Sequence, residues 1–176
     1  FRYRNPIIDD KTAYVFVSQS GETADTIGAL REVKKQGGLT LGIINVVGSS
    51  VAREVDAGLY NHVGPEIGVA STKAFTSQVA LLALLAVFFA NRKGTLLPEL
   101  TGELRKIPEA MGRVLKRAKD MERLAKKYVK AESMLYIGRK YQYPIALEGA
   151  LKLKEISYVH AEGFSGGELK HGPIAL

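Results

Sequence analysis

Three stretches of the chain concentrate side chains able to do chemistry. The first is SQSGET, residues 18–23, with the hydroxyls of Ser18, Ser20 and Thr23, the amide of Gln19 and the backbone of Gly21. It has neither the Gly-Lys-Ser/Thr of a nucleotide-binding P-loop nor the GxGxxG of dinucleotide binding, and it carries no cation. Hydroxyls together with the N–H groups of Gln19, Ser20 and Gly21, placed before a helix, make a neutral cradle for an anion. Such a cradle suits a phosphomonoester on a small substrate that must also leave. A plainer role fits the same residues, because Ser20 or Thr23 can cap the following helix, an interaction worth about 1 kcal/mol.

The second stretch is EGALKLKEISY, residues 148–158. Glu148, Lys152 and Glu155 are spaced by four and three and so share one helical face, while Lys154 points elsewhere. Apolar residues from Ile145 to Ile156 occupy most of the remaining circumference, so the helix reads as mostly buried and its charges as poorly hydrated. A partly desolvated carboxylate beside an ammonium is the arrangement of a general base and its electrostatic partner. An exposed ion-pair ladder, worth a few tenths of a kcal/mol per pair, is the bland alternative. The third stretch, GELKHGP, sets His171 between glycine-flanked turns, as an acid–base group or as ordinary polar surface.

These residues need elements to hold them. Ala13 to Val17 reads as a buried strand, and Ile27, Leu30 and Val33 recur at helical spacing from Ala24 until Gly37 and Gly38. A second strand follows over 39–47, a short helix over 50–55 and a third strand over 57–63. The loop GPEIGVAS leads to an apolar helix over 72–91, with Ser71 as its N-cap. Its run VALLALLAVFFA is shorter than the roughly 18 residues of a membrane span and reads as a buried helix. Gly94 and Pro98 mark a linker, and a basic amphipathic helix runs over 108–130. SMLYIGR then opens a second strand–loop–helix unit, with Pro144 in the first helical turn. HAEGFSGGELKHGP reads as an ordered loop or a lid. Strands alternating with helices predict an α/β fold on parallel sheets.

Composition narrows the classes. The 176 residues include 46% hydrophobic and 24% charged residues, as in a globular protein. With no cysteine there is no disulfide framework and no thiolate metal site, and the three histidines make no zinc-like spacing. No metal is expected, and an intracellular, cytoplasmic home is. The net charge of +7 raises nucleic acid as a partner, yet residues 92–140 alone hold 14 Lys or Arg against 6 Asp or Glu. There Met111, Val114, Leu115, Ala118, Met121 and Leu124 form an apolar stripe, which leaves the charges on a solvated face. No aromatic stacking platform is woven through them, so neither nucleic acid nor membrane is expected as a partner.

SQSGETADT, GVASTKAFTSQ, YPIALEGALKLKEISY and GELKHGP, in this order and spacing, closely resemble the isomerase half of the glucosamine-6-phosphate synthases, the glutamine:fructose-6-phosphate amidotransferases. The resemblance covers almost the whole chain, and the four motifs together are highly specific. SQSGET alone indicates only the wider sugar isomerase (SIS) superfamily. The resemblance implies doubly wound parallel-sheet SIS subdomains, αβα sandwiches, with residues 1–93 as the later part of a first subdomain. Residues 94–130 would then be linker and amphipathic helix, and 131–176 the opening of a second subdomain.

It also implies roles. Ser18, Gln19, Ser20 and Thr23 would hold the 6-phosphate of a hexose, and Val69, through its backbone, and Ser71 would contact the sugar. Glu155 matches the carboxylate that moves a proton between C1 and C2, Lys152 the lysine beside it, and His171 the histidine of ring opening. In this family that histidine comes from the neighbouring subunit, which implies a homodimer. No cofactor is implied. Both ends of the sequence read as cut: the family's opening strand and loop, its C-terminal lysine tail and its N-terminal glutaminase domain are expected in a longer molecule. A noncatalytic SIS-type sensor of phosphosugars is the alternative, and it has no need of Glu155, Lys152 and His171.

Overall fold

The computed structural model describes Phe1 and residues 4–175. Strands β1 (Ala13–Ser18), β2 (Leu39–Ile44) and β3 (Ala57–Tyr60) form a parallel sheet in the order β1-β2-β3, with Ala13 opposite Leu39 and Leu41 opposite Ala57. Helices α1 (Ala24–Lys35) and α2 (Ser50–Glu54) make the crossovers. The expected apolar spacing of α1 buries Leu30 and Val33 against Phe16, Ile44 and Val51, which form the core on one face of the sheet. At about 25 cal/mol per Å² of apolar surface, this cluster is the main local source of stability.

β2 and β3 each end three residues earlier than the sequence suggests. Beyond them the ladder gives way to a side-chain clip: Asn45 Oδ1 accepts the Val63 N–H at 3.0 Å, and Asn45 Nδ2 donates to the Gly64 carbonyl at 3.1 Å. At the other end of the sheet, buried Thr40 and exposed Asp56 are bracketed together. The Thr40 N–H and hydroxyl donate to Asp56 Oδ2 at 2.9 and 2.7 Å, and the Asp56 N–H donates back to Thr40 Oγ1 at 3.1 Å. Arg31 also grips Glu54 with two hydrogen bonds, at 2.9 and 2.7 Å, joining α1 to α2.

Helix α3 (Lys73–Arg92) is apolar on all sides, but among the described residues only Ala74 and Val87 are buried. The expectation of a buried helix is therefore corrected. Leu81, Leu85 and Phe88 instead look across an apolar groove of about 460 Å³ toward Val15, Leu41 and Leu59 on the second face of the sheet. At 20 residues, α3 is long and apolar enough to cross a membrane by length and composition, a test that core helices also pass.

Gly94, at φ +78, ends α3, and α4 (Pro98–Leu115) starts ten residues before the expected helix and runs through Pro108. Leu100, Leu104, Ile107 and Met111 carry the helical spacing across the proline, which is why propensity does not decide here. A turn at Lys116–Arg117 separates α5 (Ala118–Tyr128). Neither α4 nor α5 has a buried residue among those described. Their charges pair along the helices, Arg113 with Glu109 and Lys126 with Glu122, each at 2.6 Å.

Strands β4 (Ser133–Gly138) and β5 (His160–Ser165) pair in parallel, joined by α6 (Gln142–Ser157). Residues 160–165 were expected to be loop, because a glycine and the absence of β-branched side chains give them little intrinsic strand preference. Pairing with β4 overrides that preference, and Gly163 permits it: a Cβ there would lie 2.8 Å from Leu147 Cα of α6. The described chain divides into two compact units, Phe1–Glu66 with Thr72–Leu104, and Ile67–Ser71 with Arg105–Leu176.

Thr40→Val should lower stability by about 1–2 kcal/mol, because it removes the charge-assisted hydrogen bond from the Thr40 hydroxyl to Asp56, while the Asp56 N–H keeps the Thr40 carbonyl as acceptor at 3.1 Å. The Thr40 hydroxyl and N–H hold the Asp56 carboxyl below its ordinary value of 3.8. Asp56 is thus more acidic folded than unfolded, so its contribution is complete above that value and fades as pH falls through it. Denaturant midpoints measured across pH should lose part of this acid limb in the variant.

Candidate active site

The SQSGET loop leaves the carboxyl end of β1 and enters α1. Within it the Gly21 N–H donates to Ser18 Oγ at 2.9 Å, and the Glu22 N–H donates to Ser20 Oγ at 3.2 Å. Each serine oxygen has therefore accepted a bond from the loop itself, which leaves its hydroxyl proton as the group to offer an anion. The expectation that the Gly21 amide faces the anion is corrected, since that N–H is committed to Ser18. Thr23 is the N-cap residue of α1 by backbone geometry, yet its side chain makes no cap bond. Its hydroxyl is not spent on capping, nor is that of Ser20.

Gly21 is required by its conformation and its surroundings. It has φ +68, and a Cβ there would lie 2.0 Å from Ser49 Oγ and 3.1 Å from Ile44 Cγ2. Ser49 Oγ and Gln19 Oε1 are buried without hydrogen-bond partners.

The loop of Val69 and Ser71 precedes α3. Ser71 is not the helix N-cap; Thr72 is, and the cap is a carboxylate that the sequence reading missed. Glu66 Oε1 accepts the N–H groups of Thr72 at 2.9 Å and Ala74 at 3.3 Å. A carboxylate at the positive end of a helix is a stronger acceptor than the hydroxyl of Ser71. Glu66 and Thr72, thus joined, fix the two ends of the segment between them. Val69 is 92% exposed.

On α6 the expected charged face is present as one ion array. Lys152 Nζ lies 2.7 Å from Glu155 Oε2 and 3.2 Å from Glu148 Oε1. Contrary to expectation, α6 is not mostly buried: Ala146 and Ala150 alone are buried, and Ile156 is 69% exposed. The sheet of this unit has two strands among the described residues and covers one side of the helix. The charges are nevertheless the better shielded groups, with side chains 19% exposed at Lys152, 24% at Glu148 and 31% at Glu155. Burial depresses the Lys152 pKa, but hydrogen bonds to Glu155 and Glu148, with the attraction of both carboxylates, outweigh it and hold the value above ordinary lysine. Lys152 is an ammonium at neutral pH. It can steady a carboxylate or a developing oxyanion but cannot act as the base, which leaves that part to a glutamate.

His171 lies in the turns after β5, exposed, with its N–H donated to the Glu168 carbonyl at 3.0 Å. Its imidazole takes no part in the α6 array. Among the described residues there is no cluster of His, Asp and Glu able to hold a metal ion.

The hydroxyl loop at the end of a parallel strand lies in one unit and the Glu–Lys–Glu face of α6 in the other, each on an α/β scaffold. The chain belongs to the SIS domain family, which matches residues 1–88 and 127–176. It is 52% identical over its whole length to the glutamine–fructose-6-phosphate aminotransferase (isomerizing) of Bacteroides thetaiotaomicron and 51% identical to that of Thermus thermophilus. It spans 29% and 30% of the length of these two relatives. Among solved structures it superposes on the C-terminal domain of the glucosamine-fructose-6-phosphate aminotransferase of Francisella tularensis with a TM-score of 0.95 and 45% identity, covering 99% of this chain and 51% of that one. The glucosamine-6-phosphate deaminase of Thermotoga maritima matches with a TM-score of 0.78 and 25% identity over 97% of this chain and 51% of the other.

Gly21→Ala should disable the loop. The left-handed backbone alone costs an alanine about 1–2 kcal/mol, and the collision with Ser49 adds to it. A lower melting temperature together with weaker sugar-phosphate binding is expected; wild-type values of both would contradict the geometry described.

Proposed function

We propose that the chain is part of the isomerase domain of a glutamine–fructose-6-phosphate aminotransferase, working on a phosphorylated hexose in hexosamine synthesis. The observation that carries this reading is the intact Lys152–Glu155 pair, at 2.7 Å, in a chain that aligns from end to end with isomerizing aminotransferases. Ser18, Gln19, Ser20 and Thr23 take the 6-phosphate, and the Val69 backbone and Ser71 take the sugar. A neutral donor set binds the dianion without the lasting attraction of a lysine or arginine, which favours release of product.

Glu155 acts as the base. It takes a proton from C1 and returns it at C2 through an enediol-type intermediate, while Lys152 balances charge developing on the neighbouring oxygen. His171 assists ring opening, supplied across a homodimer interface. The phosphate gives binding energy remote from the reacting carbons, which is available to hold them against Glu155. The aldose–ketose steps are proton transfers and call for no cofactor. The complete protein would add a glutaminase domain that supplies ammonia, and it would work in the cytoplasm.

In the full-length protein, Glu155→Gln should lower kcat by at least about a hundredfold with little change in sugar-phosphate affinity. Weakened binding at unchanged turnover would contradict the assignment. Replacing Ser20 and Thr23 together by Ala should chiefly raise the KM for fructose 6-phosphate; a fall in melting temperature alone would mark those hydroxyls as structural.

A further inference from the structure

The SQSGET loop is fastened from outside by the turn that follows β2. Glu22 Oε1 accepts the Ser50 N–H at 2.8 Å, and one residue earlier in the loop the Gly21 carbonyl accepts the Val51 N–H at 3.0 Å. Between these two bonds sits the Gly21–Ser49 contact, closed too tightly for any side chain at residue 21. Glu22 is the one residue of the loop whose side chain is committed to another crossover, and its tie bridges 28 residues. We infer that Glu22 is a positioning residue for phosphosugar binding: its carboxylate, tied to the Ser50 N–H, fixes the loop so that the Ser18, Ser20 and Thr23 hydroxyls converge on one anion.

Two consequences follow from the chemistry. The tie fixes Glu22, one residue after Gly21, so that the N–H groups of Gly21 and Glu22 stay on their serine oxygens and the serine protons stay free for the ligand. It also engages a negative charge that would otherwise be mobile beside a phosphate dianion. The Ser50 N–H, helped by the Ser50 hydroxyl, holds the Glu22 carboxyl below the usual carboxylate range, so the tie persists at neutral pH.

The inference rests on the phosphate role proposed for this loop, and the test separates the two. In the full-length enzyme, with fructose 6-phosphate varied at saturating glutamine, Glu22→Ala should raise KM about fivefold with kcat within twofold. Glu22→Gln, whose amide oxygen can still accept the Ser50 N–H, should restore KM to within twofold. Ser50→Pro removes the donor side of the tie, both the N–H and the hydroxyl that faces Glu22. Ser50 is the first residue of α2, where proline is tolerated, and Ser49 at φ −65 and ψ 165 already has the backbone that a residue before proline adopts. This variant should match Glu22→Ala, and the double variant should be no worse than either, because both abolish the same Glu22–Ser50 tie. If Glu22→Ala does not fold, Ser50→Pro decides.

Unchanged KM in Ser50→Pro, alongside a raised KM in the Ser20 and Thr23 double variant, overturns the positioning role and leaves the phosphate loop standing. A fall in kcat at constant KM overturns it as well. Unchanged KM in the Ser20 and Thr23 variant removes the phosphate reading, and the positioning role with it.

Discussion

A lysine held between two glutamates is the constraint on which the account of this molecule depends. Lys152 reaches both carboxylates because residues four before and three after it on a helix lie on its own face. Desolvation alone would lower its pKa, and the two negative neighbours outweigh that effect. The result is a fixed ammonium 2.7 Å from the Glu155 carboxylate. A carboxylate of that kind can collect a proton from carbon only if the carbon is brought to it and held. On the proposed function, the rest of the chain would be the means of doing so.

The holding is assigned to the far end of the ligand. At the end of β1 the backbone turns through Gly21 with its own N–H groups satisfied by serine oxygens, and the serine protons are left for a guest. On the proposed function, this arrangement would recognise a phosphate by direction rather than by charge. Ionic grip would make the complex tighter, but it would not orient the sugar. Hydroxyls set by Gly21, Ser49 and the Ser50 N–H would restrict how a phosphate sits.

Much of this was legible in the sequence where the determining contacts are local. The spacing of Glu148, Lys152 and Glu155 specifies a shared face whatever surrounds the helix, and the periodicity of Ile27, Leu30 and Val33 locates α1 and its buried side. Features set by distant residues were not legible. β5 has a poor strand sequence and exists because β4 pairs with it and Gly163 lets α6 approach. Glu66 displaces Ser71 as the cap of α3 from six residues before the N–H that it accepts. The Glu22–Ser50 bond spans 28 residues, and only the β1–α1–β2 crossover brings its ends together. The exposed leucines and isoleucines of α6 show the same limit from the other side: a hydrophobic circumference says that a helix can be buried, not what buries it within the described residues.

The measurement that bears most directly on the central claim is a crystal structure of the full-length protein with a 6-phosphorylated hexitol bound. The account requires the phosphate against the hydroxyls of Ser18, Ser20 and Thr23, with C1 or C2 or their oxygens within hydrogen-bond reach, about 3 Å, of the Glu155 carboxylate. A phosphate in that loop with Glu155 turned toward a different surface, in each subunit of the assembly, would contradict it and leave only a binding site for an anion.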